Sequence, residues 1–401
     1  MLMSLYLPPY LAKAQQQRQP AVKPGVDVFL EQYAYLVRGK RVGLITNQTG
    51  VSADGTSTID LLHRDQRVNL VALFSPEHGI RGTAAAGEHI GDSTDPKTGL
   101  HVYSLYGLKG RKPTPEMLRN LDVLIYDIQD VGSRAYTYIW TMANCMKAAA
   151  ENDLFFIVLD RPNPLGGHVI DGPTTEPKWE SFLGLYPIPR VYGMTPGELA
   201  YYFNEEHGIN AAIGIIPMHG YNRSMSFAET GLPWIPSSPN IPTPESAVAF
   251  AATGTIGTLG FIHIGIGTDY PFQLVGATWM DSQRSASILN SRQLPGVQFV
   301  PYRFPGKDGR AVECVFLQVT DPAQFWPTTT ETVILEHLQS AYSAHFRWPG
   351  GKTANSFDKA TGTSTLRENL QRGLPVNSIT ASWQRDLSSF DNRRRAYFIY
   401  P

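Results

Sequence analysis

From Lys40 onward, short apolar runs alternate with stretches of helical periodicity. The run Arg41–Thr46 (RVGLIT) predicts a first buried strand, and Val68–Phe74, His101–Tyr106, Leu121–Tyr126, Leu154–Leu159 and Ala211–Pro217 predict the next five. Between them, Ser57–Asp65, Pro113–Asn120, Tyr136–Asn152 and Thr195–Glu206 predict helices. The prolines of 113–120 suit a first helical turn, and Gly208 sits just beyond the fourth helix, where a left-handed stop is wanted. Strands joined by helices of ten or more residues imply right-handed crossovers, hence a mostly parallel sheet covered on both faces. The expected fold class is therefore α/β, with a Rossmann-like first domain.

Trp234–Pro244 (WIPSSPNIPTP) interrupts this rhythm, because its prolines fit neither a central strand nor a helix interior. Beyond it the order changes. Strands are predicted at Leu259–Ile266, Gln298–Arg303 and Val312–Val319, and helices near Asp281–Ser291, Thr330–His345 and Val376–Ser389. The expected division is 25–242 as the Rossmann-like catalytic domain and 243–401 as a smaller α/β or α+β C-terminal domain. A length of 401 residues agrees, being too great for one ordinary core.

Residues 1–24 stand apart. Met1–Leu11 is apolar and Ala12-Lys13-Ala14 reads as a small-x-small cleavage site, although Pro8-Pro9 interrupts the run and no basic segment precedes it. The expectation is a shortened export signal and a periplasmic or extracellular protein. A disordered tail, with a cytoplasmic location, is the alternative. No apolar run reaches the ~18 residues of a membrane-spanning helix.

A net charge of −1, from 34 basic and 35 acidic residues, gives no electrostatic case for nucleic acid as a partner. The two cysteines, Cys145 and Cys314, fall in a helix-like and a strand-like run, so two buried thiols are expected rather than a bridge. No Gly-x-Gly-x-x-Gly or Walker loop follows a strand, no HExxH or His-x-x-x-His pair occurs, and no Gly-x-Ser-x-Gly elbow is present. No cofactor or metal is therefore expected.

The chemistry concentrates where strands end. Leu70–Gly91 leaves its strand at Ser75-Pro76 and delivers Glu77, His78 and Arg81 within five positions. A second exit carries Asp127, Gln129, Asp130 and Arg134, and a third carries Asp160, Arg161 and Asn163. Exit loops of adjacent parallel strands meet over one crevice. Such a set suits sugar recognition, with carboxylates and amides for hydroxyl and acetamido groups, Arg for a carboxylate, and Tyr136 or Tyr138 for a ring face. An equally physical account makes Asp127 and Asp160 turn caps, Arg134 and Arg161 a brace between loops, and Tyr138 and Trp140 core.

The runs Val42–Gly50 (VGLITNQTG), Leu73–Gly82 (LFSPEHGIRG), Asp122–Tyr138 (DVLIYDIQDVGSRAYTY), Val158–Gly167 (VLDRPNPLGG) and Pro233–Pro242 (PWIPSSPNIP) resemble the exo-β-N-acetylmuramidase family. The resemblance spans nearly all of the chain from Gly25. It implies a Rossmann-like domain and a smaller C-terminal domain with the active cleft between them. It also implies release of terminal N-acetylmuramic acid from the non-reducing ends of peptidoglycan fragments, with Glu77 as catalytic acid. The substrate-binding candidates are then Asn47, His78, Arg81, Asp127, Gln129, Asp130, Arg134, Tyr136, Asp160, Arg161, Asn163 and Asn240.

A glycosidase acid works near neutral pH when burial or a nearby carboxylate raises its pKa; Glu88, Asp127, Asp130 and Asp160 are the candidate neighbours. The second catalytic group is left open between a protein carboxylate and the substrate's own acetamido oxygen. One departure from the family pattern is visible. Many members carry Ser-Glu-Gly-Arg-Gly-Thr ahead of Pro-Phe, where this chain has His263–Thr268 with Ile264 and Ile266 in place of Glu and Arg. That substitution motivates an alternative, a non-catalytic muropeptide-binding envelope protein. A metal-dependent hydrolase is a third.

Overall fold

The computed structural model describes residues 21–76, 79–81, 91–105, 111–306 and 309–401. Seven strands form one sheet: β1 (Arg41–Thr46), β2 (Asn69–Ser75), β3 (Ser93–Thr94), β4 (His101–Ser104), β5 (Val123–Asp127), β6 (Phe155–Leu159) and β7 (Ala212–Ile216). Their order is β3-β4-β2-β1-β5-β6-β7, parallel throughout except for the short edge pair β3–β4. The apolar runs become strands because both sheet faces are covered: every residue of β5, and all but the first of β1, is buried.

On one face lie α1 (Gly25–Val28) and α2 (Thr58–Arg64), whose Val26, Ile59 and Leu62 pack on Leu44, Leu73 and Ile125. Next in sequence comes the single turn α3 (Pro115–Leu118). The other face is covered by α4 (Tyr138–Glu151) and α5 (Pro196–Glu206), through Trp140, Met142, Leu199 and Phe203. Thr195 starts α5 with a reciprocal cap: its hydroxyl accepts from Glu198 N, and the Glu198 side chain accepts from Thr195 N.

After Ile216 the chain runs without regular strands to α6 (Pro244–Thr253). The second domain then adds β8 (Leu274–Ala277), α7 (Ser282–Ser291), β9 (Val297–Pro305), β10 (Ala311–Val319) and α8 (Pro327–Ala341). It ends with α9 (Gly351–Thr361), α10 (Thr365–Gln371), α11 (Val376–Ala381) and α12 (Gln384–Arg394). Its sheet is antiparallel, in the order β8-β10-β9. The expected fold class holds: a mostly parallel α/β sheet with a second, smaller domain. Its core is continuous with the first domain, since Val131, Leu165, Val169 and Val191 join the cluster built on Val275, Leu335 and Phe357.

Two expected elements differ. Leu259–Ile266 is not a strand; Ile256–Leu259 is a 3-10 turn, and Gly260, Gly265 and Gly267 all have φ near +80°, which no extended run tolerates. The strand comes later, at β8. Val376–Ser389 is two helices rather than one, α11 and α12, separated at Ser382-Trp383. Trp383 and Ile379 are buried there, so the apolar spacing that suggested one helix serves two packing surfaces. Both cysteines are free and buried.

Candidate active site

The sheet reverses its winding at β1. The first crossover carries the chain to β2 on one side, and a later one carries it to β5 on the other. The carboxyl ends of β1 and β5 therefore flank a topological switch point, where open α/β sheets hold their ligands. Two of the three polar exits expected from the sequence, those of β5 and β6, meet there with the exit of β1; Glu77 and His78 of the third lie outside the described residues.

Thr46 closes β1 by donating its hydroxyl to Asp127 O at 2.7 Å. Gly50 follows so closely that a Cβ there would overlap Thr46 Oγ1 and press on Asp127 O, so only glycine fits. Asp127, at the end of β5, is 0% exposed. Arg161 grips it with Nε on Oδ1 at 2.5 Å and Nη2 on Oδ2 at 2.8 Å, and Nη2 also donates to Val51 O at 2.8 Å. Thr58 Oγ1 adds a bond to Asp127 Oδ2 at 2.5 Å. Of the two accounts of Arg161, the brace is the one seen. It ties three loops together, and the side chain still reaches the wall of a narrow cleft.

That cleft is lined by Thr49, Ser52, Gln129 and Arg161 on the sheet side. Phe227, Leu232, Pro233 and Ile235 close it from the Pro-rich segment. The segment is latched in place. Gln48 Nε2 donates to Pro236 O at 2.9 Å, Tyr136 OH to Ser237 Oγ at 2.8 Å, and Tyr138 OH to Ser237 O at 2.7 Å. Gln48, Thr49, Ser52 and Ser237 were not singled out from the sequence. The Ser-Ser-Pro-Asn run was read as a boundary, and its partners lie about a hundred or more positions away.

Several candidates are consumed by the scaffold. Arg134 is 0% exposed and donates to Pro173 O, Ile188 O and Thr361 O; burial pulls its pKa down to about 9. Asp160 caps α5 by accepting from Gly197 N at 2.7 Å and Thr195 Oγ1 at 2.7 Å, with Tyr400 OH at 2.6 Å. Burial raises it to about 6. Asn163 bridges Met194 O and Leu165 N. In this conformation the polar groups of these three are spent on the scaffold: Arg134 and Asp160 are 0% exposed and Asn163 3%. Each answers a backbone demand: buried carbonyls and amides must find partners somewhere.

Asp130 is also buried. Its Oδ2 accepts from Tyr192 OH and from Gly132 N at 2.8 Å, Oδ1 has no partner, and burial raises the carboxyl to about 7. Gln129 lines the cleft while its amide donates to Asp130 O and Pro162 O. Arg81 is held by Asp95, with two bonds at 3.0 Å, and by Asp60 at 3.4 Å. Tyr136 is half-buried, and Asn240, also half-buried, donates its backbone N–H to Ser238 Oγ. Glu77, His78 and Glu88 lie outside the described residues. Among the described residues no three His, Cys, Asp or Glu side chains gather as a metal site would require.

Two family models match the chain in series, the exo-β-N-acetylmuramidase N-terminal domain over residues 42–245 and its C-terminal domain over 248–400. The chain belongs to the exo-β-N-acetylmuramidase family. A curated member of this family from Bacillus subtilis (strain 168), peptidoglycan β-N-acetylmuramidase NamZ, is 44% identical over 394 residues, spanning 97% of this chain and 94% of the relative. Two crystal structures of DUF1343 family proteins from Bacteroides fragilis NCTC 9343 share the fold. One matches with a TM-score of 0.90 at 40% identity, covering 96% of this chain and all of that one. The other has a TM-score of 0.70 at 28% identity, covering 94% and 99%.

Within the family frame, the isoleucine departures separate. Ile264 is buried, and its side chain lies over Gly257, so this position belongs to the core of the second domain. Ile266 is 42% exposed. The same loop reaches the latch on the Pro-rich segment indirectly: Phe272 meets Phe250, and Phe250 meets Tyr136, each edge to face.

Proposed function

We infer that the protein is an exo-acting β-N-acetylmuramidase, a glycosidase that releases terminal N-acetylmuramic acid from the non-reducing ends of peptidoglycan fragments. The observation that carries this reading is the 44% identity, over 97% of the chain, to a curated peptidoglycan β-N-acetylmuramidase. The polar exits gathered at the switch point support it, because they place hydroxyl, amide and carboxylate groups where open α/β sheets hold their ligands.

Glu77 is the proposed acid. It follows β2, the strand beside β1, two positions past Ser75. Cleavage requires a proton on the departing glycosidic oxygen and support for an oxocarbenium-like centre. The described scaffold fixes the β1, β5 and β6 exits through Asp127 and Arg161, a pre-arranged polar wall of the kind that stabilises developing charge. The substrate's place in the cell wall supports an exported protein, which fractionation of expressing cells would test. Incubation with a chromogenic β-N-acetylmuramide tests the main reading. Steady release of chromophore is expected from the protein, and at least a hundredfold less from Glu77→Gln at equal folding, at the low end of what one acid contributes (about 10²–10⁴-fold). Undiminished turnover in that variant would remove Glu77 from the reaction.

A further inference from the structure

Asn47 stands directly after β1 at the switch point, 1% exposed, and its amide Nδ2 has no hydrogen-bond partner among the described residues. A buried amide N–H without a partner is costly and rare, and such a group points to a ligand that completes it. The orientation of this amide is fixed by its neighbour. Thr49 N, which can only donate, lies 2.9 Å from the other end of the amide, so that end is the oxygen Oδ1. Nδ2 is thereby turned away from Thr49.

The donor is also polarised. Gln129 N donates to Thr49 Oγ1 at 2.9 Å, and Thr49 Oγ1 donates to Asn47 Oδ1 at 2.6 Å. These bonds run in one direction, from the β5 exit across to β1, and end on an amide whose remaining N–H is the free terminus. Two donors on Oδ1 draw electron density from the nitrogen and strengthen Nδ2 as a donor. Thr49 and Gln129 themselves line the cleft.

We propose that Asn47 Nδ2 is the specificity determinant for the 2-acetamido group, donating to its carbonyl oxygen; this rests on the function proposed above. A neutral, polarised amide suits a neutral carbonyl. The lactyl carboxylate of the same sugar calls for a cation. The three guanidinium groups described at these exits are already engaged, Arg161 by Asp127 and Val51 O, Arg81 by Asp95 and Asp60, and Arg134 by the carbonyls of Pro173, Ile188 and Thr361.

The test pairs deletion of the side chain with deletion of the sugar group. Calorimetry would measure binding of N-acetylmuramic acid, of its 2-hydroxy analogue (3-O-lactylglucose), and of N-acetylglucosamine, which lacks the lactyl ether. The full-length protein is expected to prefer N-acetylmuramic acid over the 2-hydroxy analogue by roughly tenfold more than Asn47→Ala does, the scale of one buried hydrogen bond. The preference over N-acetylglucosamine should not move. Thr49→Val keeps the backbone bond to Asn47 but cuts the relay; it should lose part of the acetamido preference, and Thr49→Ser should restore it. An unchanged acetamido preference in a folded Asn47→Ala, or loss of the lactyl preference instead, overturns the proposal while hydrolysis by the unmodified protein leaves the function standing. An unmodified protein that neither binds nor cleaves any of these muramyl sugars overturns both.

Discussion

Replacing Arg161 by Met isolates what the buried brace contributes. The change keeps most of the volume but strips Asp127 of both guanidinium bonds, leaving the Thr58 hydroxyl as its remaining side-chain donor. It also leaves Val51 O without its charged partner. Removing one member of a buried ion pair costs about 3–5 kcal/mol, because the other charge stays behind in a low-dielectric site. At about 1.4 kcal/mol per decade, that lowers the folding equilibrium constant by a factor of roughly 10² to 10³ or more. Asp127→Asn in the same background removes the stranded charge, so the double variant should recover about 2 kcal/mol or more relative to the sum of the single losses. Urea unfolding at pH 7, followed by tryptophan fluorescence, measures all four proteins. Turnover of a chromogenic muramide at 25 °C reports whether the cleft wall has moved. A loss below about 1 kcal/mol in Arg161→Met, or strict additivity in the double variant, would refute the argument that the pair is a load shared by three loops.

Asp130 gives a pH signature. Burial holds its folded-state pKa near 7 against an unfolded value of 3.8, so the native state keeps the proton longer. Its contribution is fully present below about pH 4 and is lost as pH rises through 7, a swing of up to about 4 kcal/mol. Asp130→Asn should flatten that decline, and equal drops in melting temperature between pH 5 and pH 8 in both proteins would contradict the assignment. Gln48→Leu removes the amide bonds to Pro236 O and Ser237 O; KM for the muramide should rise several-fold while urea stability falls by no more than about 1.5 kcal/mol. Tyr400→Phe deletes the hydroxyl shared by Asp160 and Met218 N, and a loss of about 1–3 kcal/mol in urea unfolding is expected.

The first domain was readable where strands are short, apolar and flanked by a helix, as β1, β2, β5, β6 and β7 are; the exposed pair Ser93–Thr94 of β3 carries no such signal. Leu121–Tyr126 and Val123–Asp127 differ only at their ends. The loop at 259–272 was not, since apolar spacing cannot reveal that three glycines would take left-handed backbone angles and carry the chain through a tight turn. At the site, residue types identified the right loops but not the duties within them. Asp160 and Arg134 could be ligands or scaffold from composition alone. What decides is a partner far along the chain, Tyr400 at 240 positions from Asp160 and Thr361 at 227 from Arg134. Arg161 is the intermediate case, since it braces Asp127 and also borders the cleft. Asn47 was legible as a candidate, but the direction of its amide was not, because that depends on Thr49 folding back upon it.

The last residues of the chain do not stay with the domain that precedes them. Ile399 N reaches Glu198 at 3.0 Å, Tyr400 seats its hydroxyl on Asp160, and Pro401 O receives Arg223 N at 2.9 Å. The amino-terminal half is thus finished by a thread spun from the far end. An expression plasmid cut after residue 242 would yield a sheet lacking its closing stitch, and shuffling halves between homologues would succeed only if residues 398–401 travel with the sheet they fasten.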